Sequence, residues 1–228
     1  MQAIVICSTI NTGLKVLLSS LEAYCPYIPV YLSSKNVEDS KFVHTWMYNA
    51  ATNFGDAYNA AMDKAFSDGY KEIIIANDDV VITPTTYLKL EEDVRLLKRN
   101  FENVGFVGAR SDYVLWHQNI RSYCANDNVI GVKYESEDHI KETGVIAPIF
   151  AYVSKQAFET ARFPSTNWYS DNIICDDLSK AGYKHFVSRA YVHHAGSQTV
   201  GTNFQKCHEE PREWIRTNRP DVYSNYYA

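Results

Sequence analysis

Three adjacent polar residues, Asn77-Asp78-Asp79, follow directly on the apolar run Glu72-Ile73-Ile74-Ile75-Ala76 in this 228-residue chain. Neighbouring hard oxygen ligands in a cleft are what a Mg²⁺ or Mn²⁺ ion bridging a diphosphate requires. Asp79 is the first candidate metal ligand, and Asp78 beside it is a candidate cofactor contact. Asn and Asp also favour turns and helix starts for reasons unconnected with metals, so the triplet alone leaves both readings open.

The elements that must position it follow from periodicity. Ala3 to Cys7 is an apolar run of strand length; Ser8, Thr9 and Asn11 follow, and Leu14, Leu17, Leu18 and Leu21 then recur at helical spacing. Ile28 to Leu32 reads as a second strand and Ser33 to Lys41 as a loop. Asn53-Phe54-Gly55 introduces a helix with Ala57, Tyr58, Ala61, Met62 and Ala65 on one face, stopped at Asp68-Gly69. Glu72 to Ala76 is a buried parallel-type strand. Pro84 opens a helix with Tyr87, Leu90, Val94, Leu97 and Phe101 inward, and Val104 to Ala109 is the next strand.

Arg110 to Thr143 is polar, aromatic and irregular, and a connection of that length inside a compact domain is usually functional or mobile. Val145 to Val153 is strand-like, Lys155 to Ala161 and Asn172 to Ala181 are helical, His185 to His193 is a final strand, and Ala195 to Ala228 has weak periodicity. Alternating strand and helix in the first half predicts a doubly wound α/β sheet, with ligands beyond the carboxyl ends of its strands. Ser8-Thr9 and Asn77-Asp78-Asp79 both fall there.

The bulk numbers narrow the class. A chain 46% hydrophobic and 21% charged can bury a full core, and without a linker-like segment a single domain over 1–228 is expected. Its formal net charge of −5 disfavours nucleic acid. No apolar stretch is long enough to span a bilayer and no leader is evident, so a soluble cytoplasmic protein without a membrane span is expected. Five scattered cysteines with no CxxC argue against a disulfide framework or zinc knuckle.

The segment NFGDAYNAAMDKAFSDGYKEIIIANDDVVITPTTYLKL resembles the family 2 glycosyltransferases of the GT-A fold: an Asn-x-Gly turn, a helix carrying Asn59, a Gly69-Tyr70 stop, a strand, a DxD-like acidic motif, and Pro84 before a helix. The resemblance implies a Rossmann-like GT-A fold with a mixed, mostly parallel central sheet flanked by helices. It divides the chain into a nucleotide-sugar-binding half at 1–109, an acceptor-side half at 110–200 and a tail at 201–228. The acidic motif would hold Mn²⁺ or Mg²⁺ and contact the donor's ribose and diphosphate. Ser8, Thr9 and Asn11 would meet the nucleotide, and Asn53 and Asn59 would line the donor pocket.

A second block, NWYSDNIICDDLSKAGYKHFVSRAYVHHAGSQTVG, is similar to the family's later motif. Counting back from Gly182-Tyr183, Asp171 falls on the catalytic Asp, while Ser170 stands where an acidic residue usually precedes it. An acceptor hydroxyl needs such a base to remove its proton during attack on the anomeric carbon, yet Asp before a helix is also a common N-cap. Asp177 is the next candidate. His193 and His194 point to opposite faces of a strand, and His194-Ala195-Gly196-Ser197 matches the family's His-x-Gly-Ser, which implies a metal or diphosphate contact for His194. Trp116, Trp168, Tyr113, Tyr123 and Tyr169 are candidate sugar platforms.

The expectation is a metal-dependent inverting glycosyltransferase moving a sugar from a nucleotide-sugar donor, a UDP-sugar first, to a glycan or other hydroxyl-bearing acceptor. A catalytically silent nucleotide-sugar or glycan-binding module on the same fold is the alternative.

Overall fold

The computed structural model describes residues 2–9, 13–125, 130–134, 138–196 and 203–227, with 121–125 and 130–134 described by backbone alone. In chain order the elements are β1 (Gln2–Ser8), α1 (Leu14–Tyr24), β2 (Val30–Ser34), a 3-10 turn (Val37–Phe42), β3 (Thr45–Tyr48), α2 (Phe54–Ser67), β4 (Glu72–Asn77), β5 (Val80–Ile82), α3 (Thr86–Asn100) and β6 (Val104–Ser111). There follow β7 (Arg121–Ala125), β8 (Ile130–Tyr134), β9 (Lys141–Thr143), β10 (Phe150–Ser154), α4 (Lys155–Thr160), α5 (Ser170–Lys180), β11 (Lys184–His194), α6 (Phe204–Glu209), α7 (Arg212–Asn218) and α8 (Pro220–Tyr227).

Nine strands form one sheet in the order β3-β2-β1-β4-β10-β6-β11-β5, with β9 also paired to β11. β1, β2, β3, β4, β6 and β11 run one way, and β5, β9 and β10 run against them. The sheet is therefore mixed and mostly parallel, as expected. Its two faces carry separate cores. Ile4, Ile6, Ile74, Val107 and Val192 pack under α1 and α3, while Ala3, Val5, Ile73, Ile75 and Val187 pack under α2, α4 and α5. That alternation is the period-2 pattern of a strand buried on both sides.

Helix boundaries follow local chemistry. The Asn53 side chain accepts from the Asp56 N–H at 2.8 Å and donates to the Asp56 carboxylate at 2.7 Å, a reciprocal cap that starts α2. Gly69 and Gly182 take positive φ, 99° and 87°, and turn the chain out of α2 and α5. Gly55 is needed for close approach, because a Cβ there would lie 1.8 Å from the Pro164 carbonyl oxygen. Gly55→Ala is expected to lower stability by about 1–3 kcal/mol, read as a fall in urea midpoint at unchanged slope.

Several expectations need correction. Ser33 to Lys41 is partly ordered: β2 continues to Ser34 and the 3-10 turn follows. The three-residue β5 and four-residue β3 are too short for alternation to reveal. Arg110 to Thr143 contains the β7–β8 hairpin and β9. Of Val145 to Val153, only Phe150 onward is strand, and it runs antiparallel between β4 and β6. The tail is largely helical, since α7 and α8 bury Ile215 and Val222 against Ile173 of α5. Asn11 and the side chain of Tyr123 lie outside the described residues.

Candidate active site

The carboxyl ends of β1 and β4 lie side by side, with Cys7 opposite Asn77, so Ser8 meets the acidic turn as soon as both strands end. The Ser8 hydroxyl donates to Asp78 Oδ2 at 2.6 Å, and Asp78 is buried. Burial pushes the Asp78 carboxyl pKa up, and the neighbouring Asp79 charge adds to the shift against the opposing Ser8 bond. Gly13 closes over this turn: a Cβ there would fall 2.6 Å from the Asp78 carbonyl oxygen and 2.8 Å from Asp79 Cα. Thr9 is exposed at the rim.

β5 leaves the acidic turn and pairs antiparallel with the end of β11, placing His194 opposite Val80. The pairing brings His194 Nε2 to 3.1 Å from Asp79 Oδ1, with only 10% of each side chain exposed. His194 Nδ1 lies 2.6 Å from the Tyr113 carbonyl oxygen. As an N–H donor there, it leaves Nε2 to face Asp79, the orientation that fixes a metal-binding imidazole. Burial pulls the ring's pKa down, and the bond to Asp79, the Asp79 charge and the Tyr113 carbonyl outweigh it, so the net direction is up.

Asp112 is the site residue that sequence reading missed. Its Oδ2 lies 2.5 Å from His193 Nδ1 and its Oδ1 accepts the His194 backbone N–H at 3.1 Å, so one buried carboxylate orders both histidines. Burial works to raise its pKa, but these bonds and the His193 ring prevail and hold it below the usual carboxylate range. The only local signal was an Asp just beyond an apolar strand, inside a stretch assigned to loop. Gly196 adjoins the same knot: its φ is 66°, and a Cβ would lie 1.9 Å from Tyr113 Cδ1.

At the end of β2, Ser34 Oγ donates to the buried Asp39 at 2.9 Å and accepts from Trp46 Nε1 at 3.0 Å. Nearby Asn49, also buried, bonds through its backbone N–H to Ser34 O at 2.9 Å, while its Nδ2 has no partner among the described residues. Neither Asp39 nor Asn49 stood out in the sequence, because polar residues are expected in such a stretch.

Asp171 lies in the first turn of α5. Because α5 leads through Gly182 into the start of β11, its N terminus faces the strand ends that carry the acidic turn. Asp171 makes no hydrogen bond or ion pair with Asp78, Asp79 or His194. The N-cap position belongs instead to Tyr169, at φ 62° and without a side-chain cap bond. Asp171 Oδ1 accepts from the Asn172 N–H at 3.0 Å. Burial nonetheless prevails over that bond and pushes its pKa up to about 6, although the residue retains some solvent exposure.

Asn53, Asn59 and Asp177 are engaged elsewhere. Asn53 caps α2, and Asn59 uses both ends of its amide on the Phe163 backbone, at 2.8 and 3.2 Å. Asp177 is held by two 2.8 Å bonds from the Arg219 guanidinium, which removes it as the next candidate base. Trp116 is 81% exposed, and Tyr113 sits edge-on to His194.

Among the described residues no set of three His, Cys, Asp or Glu side chains converges as a metal site. Asp79 and His194 make a pair whose 3.1 Å spacing is close to the roughly 3 Å ligand–ligand edge implied by octahedral bonds of about 2.1 Å. One carboxylate and one imidazole fit a divalent ion whose remaining ligands are the oxygens of a diphosphate.

No family model matches the chain, and no curated protein matches it in sequence. Solved structures match it in fold. Residues 1–349 of S. aureus TarS align over 100% of this chain and 75% of that one, with TM-score 0.56 at 10% identity. TarS 1-349 in complex with UDP-GlcNAc aligns over 93% of this chain and 64% of that one, with TM-score 0.58 at 11% identity. In a further S. aureus TarS structure, 46% of that chain is covered, with TM-score 0.54 at 10% identity. Among the described residues no helix is long and apolar enough to cross a membrane. Sheet order, the acidic turn after β4 and this likeness together make the chain a GT-A fold.

Proposed function

We propose that this protein is a metal-dependent inverting glycosyltransferase that moves a sugar from a nucleotide diphosphate donor, a UDP-sugar first, to a hydroxyl of a glycan or similar acceptor. The observation that carries the reading is the Asp79–His194 pair, joined across β5 and β11 beside the Ser8–Asp78 bond at the strand ends of a GT-A sheet. The UDP-GlcNAc bound in the matching TarS structure supports the choice of donor class.

Asp79 and His194 would hold the ion, and an imidazole ligand leans the choice toward Mn²⁺ over Mg²⁺. The ion supplies positive charge that stabilises the departing diphosphate. Asp78 and Ser8 shape the wall beneath the donor, and Asn49 Nδ2 offers an unspent donor at the end of β3. Asp171 takes the acceptor proton: it faces the strand ends from α5, and a carboxyl raised to about 6 is more basic than an ordinary one yet ionised at neutral pH. That tuned carboxyl favours an enzyme over the silent-module alternative.

The test is mass-spectrometric screening of purified protein against a panel of nucleotide sugars, with and without Mn²⁺. Metal-dependent hydrolysis or transfer from one donor class is expected; no binding or turnover with any of them would remove the proposal. A narrower prediction concerns Gly196→Ala. The new methyl displaces Tyr113, whose carbonyl orients His194, and such supporting changes usually cost about 10- to 100-fold in metal affinity or activity. A Mn²⁺ titration of donor hydrolysis is expected to shift at least about 10-fold to higher concentration.

A further inference from the structure

The chain enters α5 through Tyr169, the only non-glycine residue with positive φ among the described residues. A bulky L-residue in the left-handed region stays there only when its surroundings hold it. Those surroundings come from the C-terminal helices. The Tyr169 hydroxyl lies 2.7 Å from His208 Nδ1 of α6, and its ring stacks on Tyr226 of α8 with centroids 4.2 Å apart. Tyr227 Oη donates to the His208 carbonyl at 2.6 Å, closing the cluster.

Both flanks of Tyr169 are tied to the same segment. Asn167 Nδ2 donates to Glu210 Oε1 at 2.7 Å, and Trp168 packs against Phe204. On α5 itself, Asp177 takes its two bonds from Arg219, and Ile173 shares a small core with Ile215 and Val222. The backbone at Tyr169 sets the direction in which α5 begins, and Asp171 is the second residue of that helix.

We propose that α6, α7 and α8 are a clamp in which His208 and Tyr226 act as positioning residues, holding the Tyr169 turn so that Asp171 is presented at a fixed angle and kept largely out of water. The clamp rests on the reading of Asp171 as the base. Tyr226 is close enough that the Asp171 and Asp176 charges help burial push its phenol up to about 12. The Asp171 charge acts on Cys175 of its own helix and on Tyr226 of α8, and Asp176 of α5 also acts on Tyr226. Arg219, which also acts on Tyr226, is committed to Asp177 and Asp221. Among the described residues no Lys, Arg or His pairs with Asp171, so desolvation dominates its titration.

The experiment is a carbon-13 NMR titration of the Asp171 carboxyl in the full chain, assigned with Asp171→Asn, for wild type, Tyr226→Ala, Tyr226→Phe and His208→Ala. Steady-state rates with UDP-GlcNAc and Mn²⁺ run alongside. Wild type is expected to titrate at about 6. Tyr226→Ala and His208→Ala should fall by about one unit toward the ordinary carboxylate value, with kcat down roughly 10-fold or more and donor KM unchanged. Tyr226→Phe, which keeps the stacked ring, should stay with wild type. A purely structural role would lower Tm and leave the titration where it was.

An unchanged Asp171 titration and rate in folded Tyr226→Ala, with Asp171→Asn inactive, would overturn the clamp and leave the base reading standing. Undiminished activity in Asp171→Asn would remove the base reading and the clamp with it. Should Tyr226→Ala fail to fold, His208→Ala carries the same comparison, because it releases the Tyr169 hydroxyl from its partner without removing the Tyr226 ring.

Discussion

Asp171→Asn is expected to fold, to bind nucleotide diphosphate and metal as wild type does, and to lose about 10²- to 10⁴-fold of its transfer rate. The amide is isosteric and its oxygen can still accept from the Asn172 N–H, so the first turn of α5 keeps its bond. What it cannot do is take a proton. Donor binding should survive because Ser8, Asp78, Asp79 and His194 belong to other elements. Isothermal titration with UDP and Mn²⁺ beside a transfer assay separates the two properties, and near-wild-type transfer would refute the assignment.

The same carboxyl sets a pH dependence with a definite sign. A base works ionised, so wild-type activity should rise through a pKa of about 6 and fall below it, a limb absent from any residual activity of Asp171→Asn. Stability runs the opposite way. A folded-state pKa above the unfolded value near 3.8 means the ionised carboxylate opposes folding, not at all below about 3.8 and fully above about 6. Discounted for the partial exposure of Asp171, the penalty at neutral pH is on the order of 1 kcal/mol. Asp171→Asn should therefore melt about 2–4 °C higher than wild type at pH 7.5 and at nearly the same temperature at pH 4. A variant both slower and more stable is the pattern of a strained functional site.

Asp79→Ala is expected to abolish metal-dependent turnover, by about 10³-fold or more, because the histidine alone leaves the diphosphate charge uncompensated. The fold should tolerate the change. It is the Asp79 backbone carbonyl, not the carboxylate, that accepts from the Ala195 N–H at 3.0 Å and helps hold the turn to β11. Chelator should silence wild type, and added Mn²⁺ should restore it but not Asp79→Ala. His194→Ala keeps the carboxylate and should lose less, about 10- to 100-fold. Full activity in chelator, or in folded Asp79→Ala, would remove the metal from the reaction.

What could be read from the residues was local. β1 and β4 are apolar runs that end where polar residues begin, so Asp78 and Asp79 had to emerge at a strand terminus. α1, α2 and α3 bury the faces that their spacing marks, and the turn glycines Gly69 and Gly182 end helices where expected. Each of these follows from a period of 2 or about 3.6 residues, or from the conformational freedom of glycine.

The site's assembly was decided by contacts between distant segments. The pairing of Asp79 with His194 depends on three-residue β5 lying antiparallel to β11, a strand too short to carry a period. Asp112 serves the histidines because β6 and β11 are neighbours, which no property of Ser111-Asp112-Tyr113 foretells. The tail looked featureless because α6, α7 and α8 are six, seven and eight residues long and bury single residues rather than stripes. Asp171 could be located by resemblance and its helix by pattern, but its raised pKa comes from desolvation, and the surroundings that bring its charge to bear on Tyr226, more than fifty residues away in the chain, are set by packing. Periodicity records how one element divides its own faces; desolvation and ligand geometry depend on which other element arrives, and only the packed chain determines that.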